Sequence, residues 1–212
     1  MKYFITGMHR AGTHATAKHF AGKHSVSWSD EGRIRGDSFA AVKMMVEGYS
    51  PKWELQGRTW LLKPIRDKSL DKGFILQCPG LAHKTIELSM LGKVIWPTRE
   101  NKRNLVASMS AALPHDMFWH ITKQFKDEFP DDQIWDRLSY SDPNDAVNNF
   151  VRYCSIVVGL KTYFYEKYFK GVAEKYVLED VPGYQDRARP LSPNRERIVM
   201  EELRKNESIC LY

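Results

Sequence analysis

Tyr3-Phe4-Ile5-Thr6-Gly7-Met8-His9-Arg10-Ala11-Gly12-Thr13-His14-Ala15-Thr16-Ala17-Lys18-His19-Phe20 is the stretch that decides the fold. A short apolar run, two glycines with four residues between them and then an alanine-rich segment read as strand, tight loop and helix start. Glycines let backbone N–H groups converge, and the positive end of the helix dipole faces the same point. The loop is therefore predicted to cradle a phosphate or a similar oxyanion.

The rest of the chain is read outward from that loop. Ser25-Val26-Ser27-Trp28 is predicted as a second strand, left through Ser29-Asp30-Glu31-Gly32. Loops at the carboxyl ends of strands line the ligand crevice of open α/β sheets, which places Asp30 and Glu31 near the cradle. Ser38 to Val46 is expected to be a helix stopped by Gly48. Residues 51–73 read as irregular and charged, with a short strand at Trp60-Leu61-Leu62. Lys63 and Arg66 beside it are either a solvated pair or a contact for an anionic substrate. Gly73 to Gly80 reads as a buried strand, His83 to Leu91 as a helix closed by Gly92, and Lys93 to Pro97 as another buried strand. Strand, helix, strand with short turns is the βαβ unit of a parallel sheet. Asn101 to Met109 is predicted helical, as are the apolar stripes of Met117, Ile121, Phe125 and Phe129 and of Val147, Val151, Cys154 and Val158, which are core faces. Tyr176 to Val181 is the expected last strand, and a proline-broken basic loop over Arg187–Arg197 precedes a final helix around Ile198 to Leu203.

Composition sets the bounds. With 212 residues, 42% hydrophobic and 12% aromatic, the chain is expected to fold as a single domain with a core of its own. Cys78, Cys154 and Cys210 are scattered without Cys-x-x-Cys spacing, which points away from a disulfide framework or thiolate metal site and towards a reducing compartment, the cytoplasm. No charged-then-apolar leader is expected to precede the fold, and no apolar stretch has the length of a membrane span. The formal charge of +6 favours anionic ligands. Basic residues are dispersed and form no nucleic-acid signature, so neither a nucleic acid nor a membrane is the expected partner.

The spacing of Gly7 and Gly12 is that of a Walker A loop, but Thr13 and His14 stand where that loop needs Lys and Ser/Thr for the β/γ-phosphates and Mg²⁺. The cradle remains, and no metal is expected. Arg10 instead puts a permanent planar cation in the loop, able to grip an oxyanion without a metal. Gly-Met-His-Arg-Ala-Gly-Thr (Gly7–Thr13) resembles the 5′-phosphosulfate loop of sulfotransferases that use 3′-phosphoadenosine 5′-phosphosulfate (PAPS). Val94 to Ser108 resembles that family's 3′-phosphate segment, with Arg99 after a strand and Ser108 on the following helix. Tyr176 to Val181 resembles its Tyr-Glu-Asp-Leu segment. Gln77-Cys78-Pro79-Gly80 keeps the Pro-Gly of a third family segment and has glutamine where many members have a lysine.

The resemblance implies an α/β fold of P-loop nucleotide-binding type, with a central parallel sheet flanked by helices. It implies transfer of the sulfuryl group of PAPS to a hydroxyl or amine of a small-molecule or carbohydrate acceptor. Arg10, Ala11, Gly12, Thr13 and His14 would hold the 5′ end of the nucleotide, and Arg99 and Ser108 its 3′-phosphate. For the catalytic base three residues stay open: Glu31 after the second strand, His83 after the strand over 74–78, and His14 in the loop. Two other readings stand beside this one, a nucleotide-dependent kinase of the same fold and a non-catalytic nucleotide-binding or assembly protein. Neither the acceptor nor the oligomeric state is legible.

Overall fold

The structure, a computed structural model, describes residues 1–29, 39–56, 59–112, 115–138, 150–181, 184 and 190–210. By its contacts the chain divides into two compact units, residues 1–98 with 171–181 and residues 99–170 with 182–212. Each is taken by itself.

The first unit is built on a five-stranded, all-parallel sheet in the order β2-β5-β1-β6-β7. Its strands are β1 (Lys2–Ile5), β2 (Ser27–Ser29), β5 (Phe74–Gln77), β6 (Lys93–Thr98) and β7 (Ala173–Val177). Helices α1 (Thr13–His24) and α3 (Thr85–Leu91) pack on it. Alternation along β1 sends side chains to opposite faces. Tyr3 and Ile5 join Ala17, Phe20 and Ala21 of α1 with Ile75 and Ile95 in one core cluster. Phe4 meets Phe74 edge-on, ring centres 6.0 Å apart. Phe4, Ile5, Ile75 and Leu76 are fully buried, as strands of a covered parallel sheet must be.

The path through the sheet locates the ligand edge. From β1 the chain crosses to β2 at one margin, and from β6 it goes on to β7 at the other. Adjacent strands whose connections diverge in this way make the crevice at their carboxyl ends where α/β proteins bind ligands. The loop after Ile5 leaves the sheet there.

The structure corrects three local expectations, one of them in the second unit: its last helix starts at Pro193, so residues 193–197 are helical and not part of the basic loop expected over 187–197, of which residues 187–189 lie outside the described residues. The strand expected at Trp60-Leu61-Leu62 lies within a longer one. Residues 51–73 are not irregular: β3 (Tyr49–Gln56) and β4 (Thr59–Arg66) form an antiparallel hairpin with Tyr49 opposite Arg66 and Gln56 opposite Thr59. Pro51 and Pro64 disguise the pattern, but they are register partners in a ribbon of two strands that pairs with no other strand among the described residues, where an edge tolerates a missing donor. Arg66 is exposed, in keeping with the solvated reading, and pairs with Asp71, whose carboxylate accepts twice from its Nη2 at 2.8 and 2.9 Å, while it also donates to the carbonyl of Glu47. The last strand also ends early, at Val177, because Leu178–Asp180 turn into a 3₁₀ helix closed by a bond from Val181 N to Leu178 O of 3.0 Å. The predicted helix over Ser38–Val46 is α2 (Phe39–Val46), followed by Gly48 at φ 86°.

In the second unit, α4 (Lys102–Ala112), α5 (His115–Glu128) and α8 (Pro193–Cys210) pack on α7 (Phe150–Phe164), with the short α6 (Ile134–Arg137) beside them in sequence. Asn101 Oδ1 accepts from Asn104 N at 3.0 Å and so starts α4. Arg103 forks onto Glu196, Nε to Oε1 at 2.9 Å, tying α4 to α8. A π-helical turn over Tyr165–Phe169 prolongs α7 and brings Tyr163, Lys167 and Tyr168 around Asp132, whose side chain is fully buried. Among the described residues no helix is long and apolar enough to cross a membrane.

Candidate functional site

The predicted strand, tight loop and helix start form. Thr6 ends β1 pinned on both sides: its N–H donates to Ile95 O at 3.0 Å, its hydroxyl donates to Cys78 O at 3.0 Å, and Cys78 N donates to Ile5 O at 2.8 Å. The chain then turns sharply, with Ala11 N donating to Met8 O at 3.3 Å. Met8 and Ala11 are buried and anchor the turn from beneath, while Arg10 and His14 are exposed.

Both glycines are required here, for different neighbours. Gly7 sits at φ 102°, and a Cβ there would stand 2.7 Å from Cδ2 of the buried Trp96. Gly12, at φ 77° and ψ 28°, occupies the N-cap of α1, where a Cβ would overlap the Leu178 side chain. Arg10 is the exception, a non-glycine residue at φ 60°. That conformation costs an ordinary side chain roughly 1–2 kcal/mol, and strain of this kind gathers where a side chain is needed for a task.

The electrostatics follow from the cap. Gly12 offers no side-chain acceptor and the first turn of α1 holds no acidic residue. The amides of Thr13, His14 and Ala15 lie ahead of the first intrahelical bond, which runs from Thr16 N to Gly12 O at 2.9 Å. Amides with no intrahelical acceptor, the positive helix end and a neighbouring guanidinium form a donor set suited to an oxyanion. His14 stands edge-on to Trp28 of β2, ring centres 4.6 Å apart.

One residue of this site is marked in the sequence only as a glutamine where the resembled family has lysine. Gln77, the last residue of β5, is buried and donates its Nε2–H to Thr13 Oγ1 at 2.9 Å. Its Oε1 is buried with no hydrogen-bond partner among the described residues, and so is Thr16 Oγ1. The available clue is a polar residue closing an otherwise apolar buried strand.

Of the predicted site residues, Arg10, Ala11, Gly12, Thr13 and His14 are brought together in the loop and the start of α1. Asp30 and Glu31 lie outside the described residues. His83 is buried in the 3₁₀ helix Pro79–Lys84 of the same unit. Arg99 and Ser108 belong to the second unit. There, Arg99 donates from Nη2 to the hydroxyl of Tyr184, and its guanidinium carbon is 5.4 Å from the centre of that ring. Ser108 is buried on α4. Lys63 lies on β4, and its side chain is outside the described set.

The Asp132 cluster of the second unit is a different kind of site. Burial would push its carboxyl up, but donors from Tyr168, the Ile134 amide, Lys167 and Tyr163 outweigh that and hold it below the usual carboxylate range. Four donors at 2.6–3.0 Å occupy the carboxylate and leave it little capacity for a ligand. It is a structural lock on the π-helical turn.

No family model and no curated protein matches this chain.

Proposed function

We propose that the chain is a PAPS-dependent sulfotransferase of P-loop-like architecture, acting on a hydroxyl or amine acceptor. The observation that carries this reading is Arg10, held in a left-handed conformation between two sterically required glycines at an uncapped helix start. A triphosphate-hydrolysing loop places lysine and a metal-binding hydroxyl after the second glycine. Here Thr13 and His14 occupy those positions, and the cation lies inside the loop.

The donor set fits the phosphosulfate end of PAPS. Arg10, the amides of Gly12 and Thr13 and the Thr13 hydroxyl would hold it, with Ala11 fixing the turn through its bond to Met8 O and His14 at the rim. PAPS supplies an activated sulfuryl group. By analogy with phosphoryl transfer through a loose in-line transition state, the protein's part is positioning and charge stabilisation. Arg10 and the helix-start amides oppose the negative charge that builds on the bridging oxygen. Arg99 and Ser108 carry the proposed reading of the 3′-phosphate, and that assignment rests on the resemblance. A base drawn from Glu31, His83 or His14 would take the acceptor's proton, a contribution of about 10²–10⁴-fold.

Ligand-linked thermal stabilisation tests the proposal, because only what binds the native state raises the melting temperature. Adenosine 3′,5′-bisphosphate should stabilise the protein, and ATP with Mg²⁺ should not. The reverse pattern would make the chain a kinase, and no shift with either nucleotide would leave a cradle that binds neither.

A further inference from the structure

Gln77 is the residue whose chemistry the cradle alone does not explain. It is only 8% exposed, and it closes β5, the strand beside β1, so that its carboxamide lies against the first residue of α1. Its Nε2–H is used, in the 2.9 Å bond to Thr13 Oγ1. Its Oε1 is buried and has no partner among the described residues. An unpaired buried carbonyl oxygen costs roughly 1–3 kcal/mol. Leucine or methionine would fill the same space without that cost, so a half-satisfied carboxamide here calls for a ligand.

The chemistry of the free atom restricts what that ligand is. An amide oxygen only accepts. The other polar groups of the cradle, namely the helix-start amides, the Arg10 guanidinium and the Thr13 hydroxyl, donate and so suit an oxyanion. An oxyanion oxygen repels Oε1, whereas an O–H or N–H satisfies it. The one partner of a sulfuryl group that brings such a hydrogen is the nucleophile that attacks it.

We propose that Gln77 is a positioning residue with two ends: Nε2 fixes the Thr13 hydroxyl so that its hydrogen is free for the oxyanion, and Oε1 takes the hydrogen of the attacking hydroxyl or amine. The inference rests on the sulfuryl-transfer reading above and sharpens its acceptor class to neutral O–H or N–H groups, excluding carboxylates and thiolates. The carboxamide orients the nucleophile and does not keep its proton. With water in place of the acceptor, the bond from sulfur to the bridging oxygen breaks with its electron pair staying on the nucleotide phosphate. A new sulfur–oxygen bond forms to water, and both water protons pass to that phosphate and to solvent. The products are sulfate and adenosine 3′,5′-bisphosphate.

The test uses the full chain, calorimetry with adenosine 3′,5′-bisphosphate, and the release of sulfate from PAPS at enzyme in excess. The wild type should bind the bisphosphate and release sulfate at least about tenfold faster than buffer, since orienting a nucleophile is worth that and more. Gln77→Met, similar in volume, removes both the acceptor and the bond that fixes Thr13, so it should weaken bisphosphate binding about tenfold and, with enzyme in excess so that PAPS stays bound, lose about tenfold or more of the sulfate release from the bound complex. Gln77→Asn, which withdraws the oxygen by one methylene, should behave likewise and replaces the methionine variant should that fail to fold. Gln77→Glu sets a negative charge against the cradle and should weaken bisphosphate binding about tenfold or more. A merely structural glutamine would lower melting temperatures without slowing release from the bound complex. Unchanged release by Gln77→Met and Gln77→Asn, undiminished binding by Gln77→Glu, or a wild type that binds the bisphosphate without accelerating release would each overturn the inference while sparing the reading of the loop. A wild type that binds no bisphosphate would instead overturn the reading itself, and this inference with it.

Discussion

The Leu178 side chain fills the place where Gly12 lacks a side chain: a Cβ on Gly12 would overlap Leu178 Cδ1, and Gly12 is held at φ 77°. The start of α1 is thereby pressed onto the turn that follows β7. Gly12→Ala meets both the left-handed penalty, about 1–2 kcal/mol, and the clash. It should destabilise the first unit by about 3 kcal/mol in urea denaturation, in the range of overpacking. Gly12→Ala with Leu178→Ala should show coupling, because the second change opens the space the first one fills. Additive losses would mean that Leu178 does not set the position of the loop.

Arg10 should display a conflict between stability and binding. Replacing a left-handed arginine by glycine relieves about 1–2 kcal/mol of strain and adds about 0.5–1 kcal/mol of unfolded-chain entropy. Arg10→Gly is therefore expected to be as stable as wild type or up to about 1.5 kcal/mol more stable, and to bind adenosine 3′,5′-bisphosphate at least about tenfold more weakly. A less stable variant with full affinity would reverse both halves of the argument.

Strand, loop and helix at residues 3–20 were legible because glycine spacing and apolar patterning are local and nothing overrides them. The βαβ unit through Phe74–Gln77, Thr85–Leu91 and Lys93–Thr98 was legible for the same reason. The hairpin over 49–66 was not, since Pro51 and Pro64 argue against a strand until their pairing across a two-stranded ribbon is known. The loop residues of the site could be named from sequence alone. Gln77 stood out there only as a glutamine in place of a lysine, because its meaning lies in a bond to Thr13, 64 residues away in the chain. Trp96 and Leu178 could not be named as the reasons for the two glycines, for they reach the loop only through the sheet.

Asp132 should make the second unit acid-sensitive. Its carboxyl is held below the usual range in the folded chain, so it contributes stability that is fully present above the unfolded value near 4 and is lost as pH falls through the depressed folded value. Asp132→Asn should cost about 2–3 kcal/mol at pH 7, the loss of charged hydrogen bonds at a buried site. The gap between variant and wild type should close below about pH 4. A gap that persists unchanged at low pH would show that the carboxylate charge is not what locks the π-helical turn.

On the proposed reading, the catalytic base is expected to be separable from nucleotide binding. Our hypothesis, motivated by the position of Glu31 after β2, is that Glu31→Gln loses about 10²-fold or more in turnover with bisphosphate affinity intact. Turnover within a few-fold of wild type would pass the role to His83, buried after β5, and then to His14.

The central claim is that the Gly7–Thr13 loop holds a 3′-phosphoadenosine nucleotide through Arg10, and isothermal titration of adenosine 3′,5′-bisphosphate and of AMP into wild type, Arg10→Ala and Arg99→Lys tests it most directly. The account predicts that wild type prefers the bisphosphate, and that Arg10→Ala weakens both nucleotides about tenfold or more, the value of one charge-assisted bond. Arg99→Lys should lose affinity for the bisphosphate alone, because a lysine cannot reproduce a two-pronged phosphate contact. Equal affinity of wild type and Arg10→Ala for the bisphosphate would contradict the account.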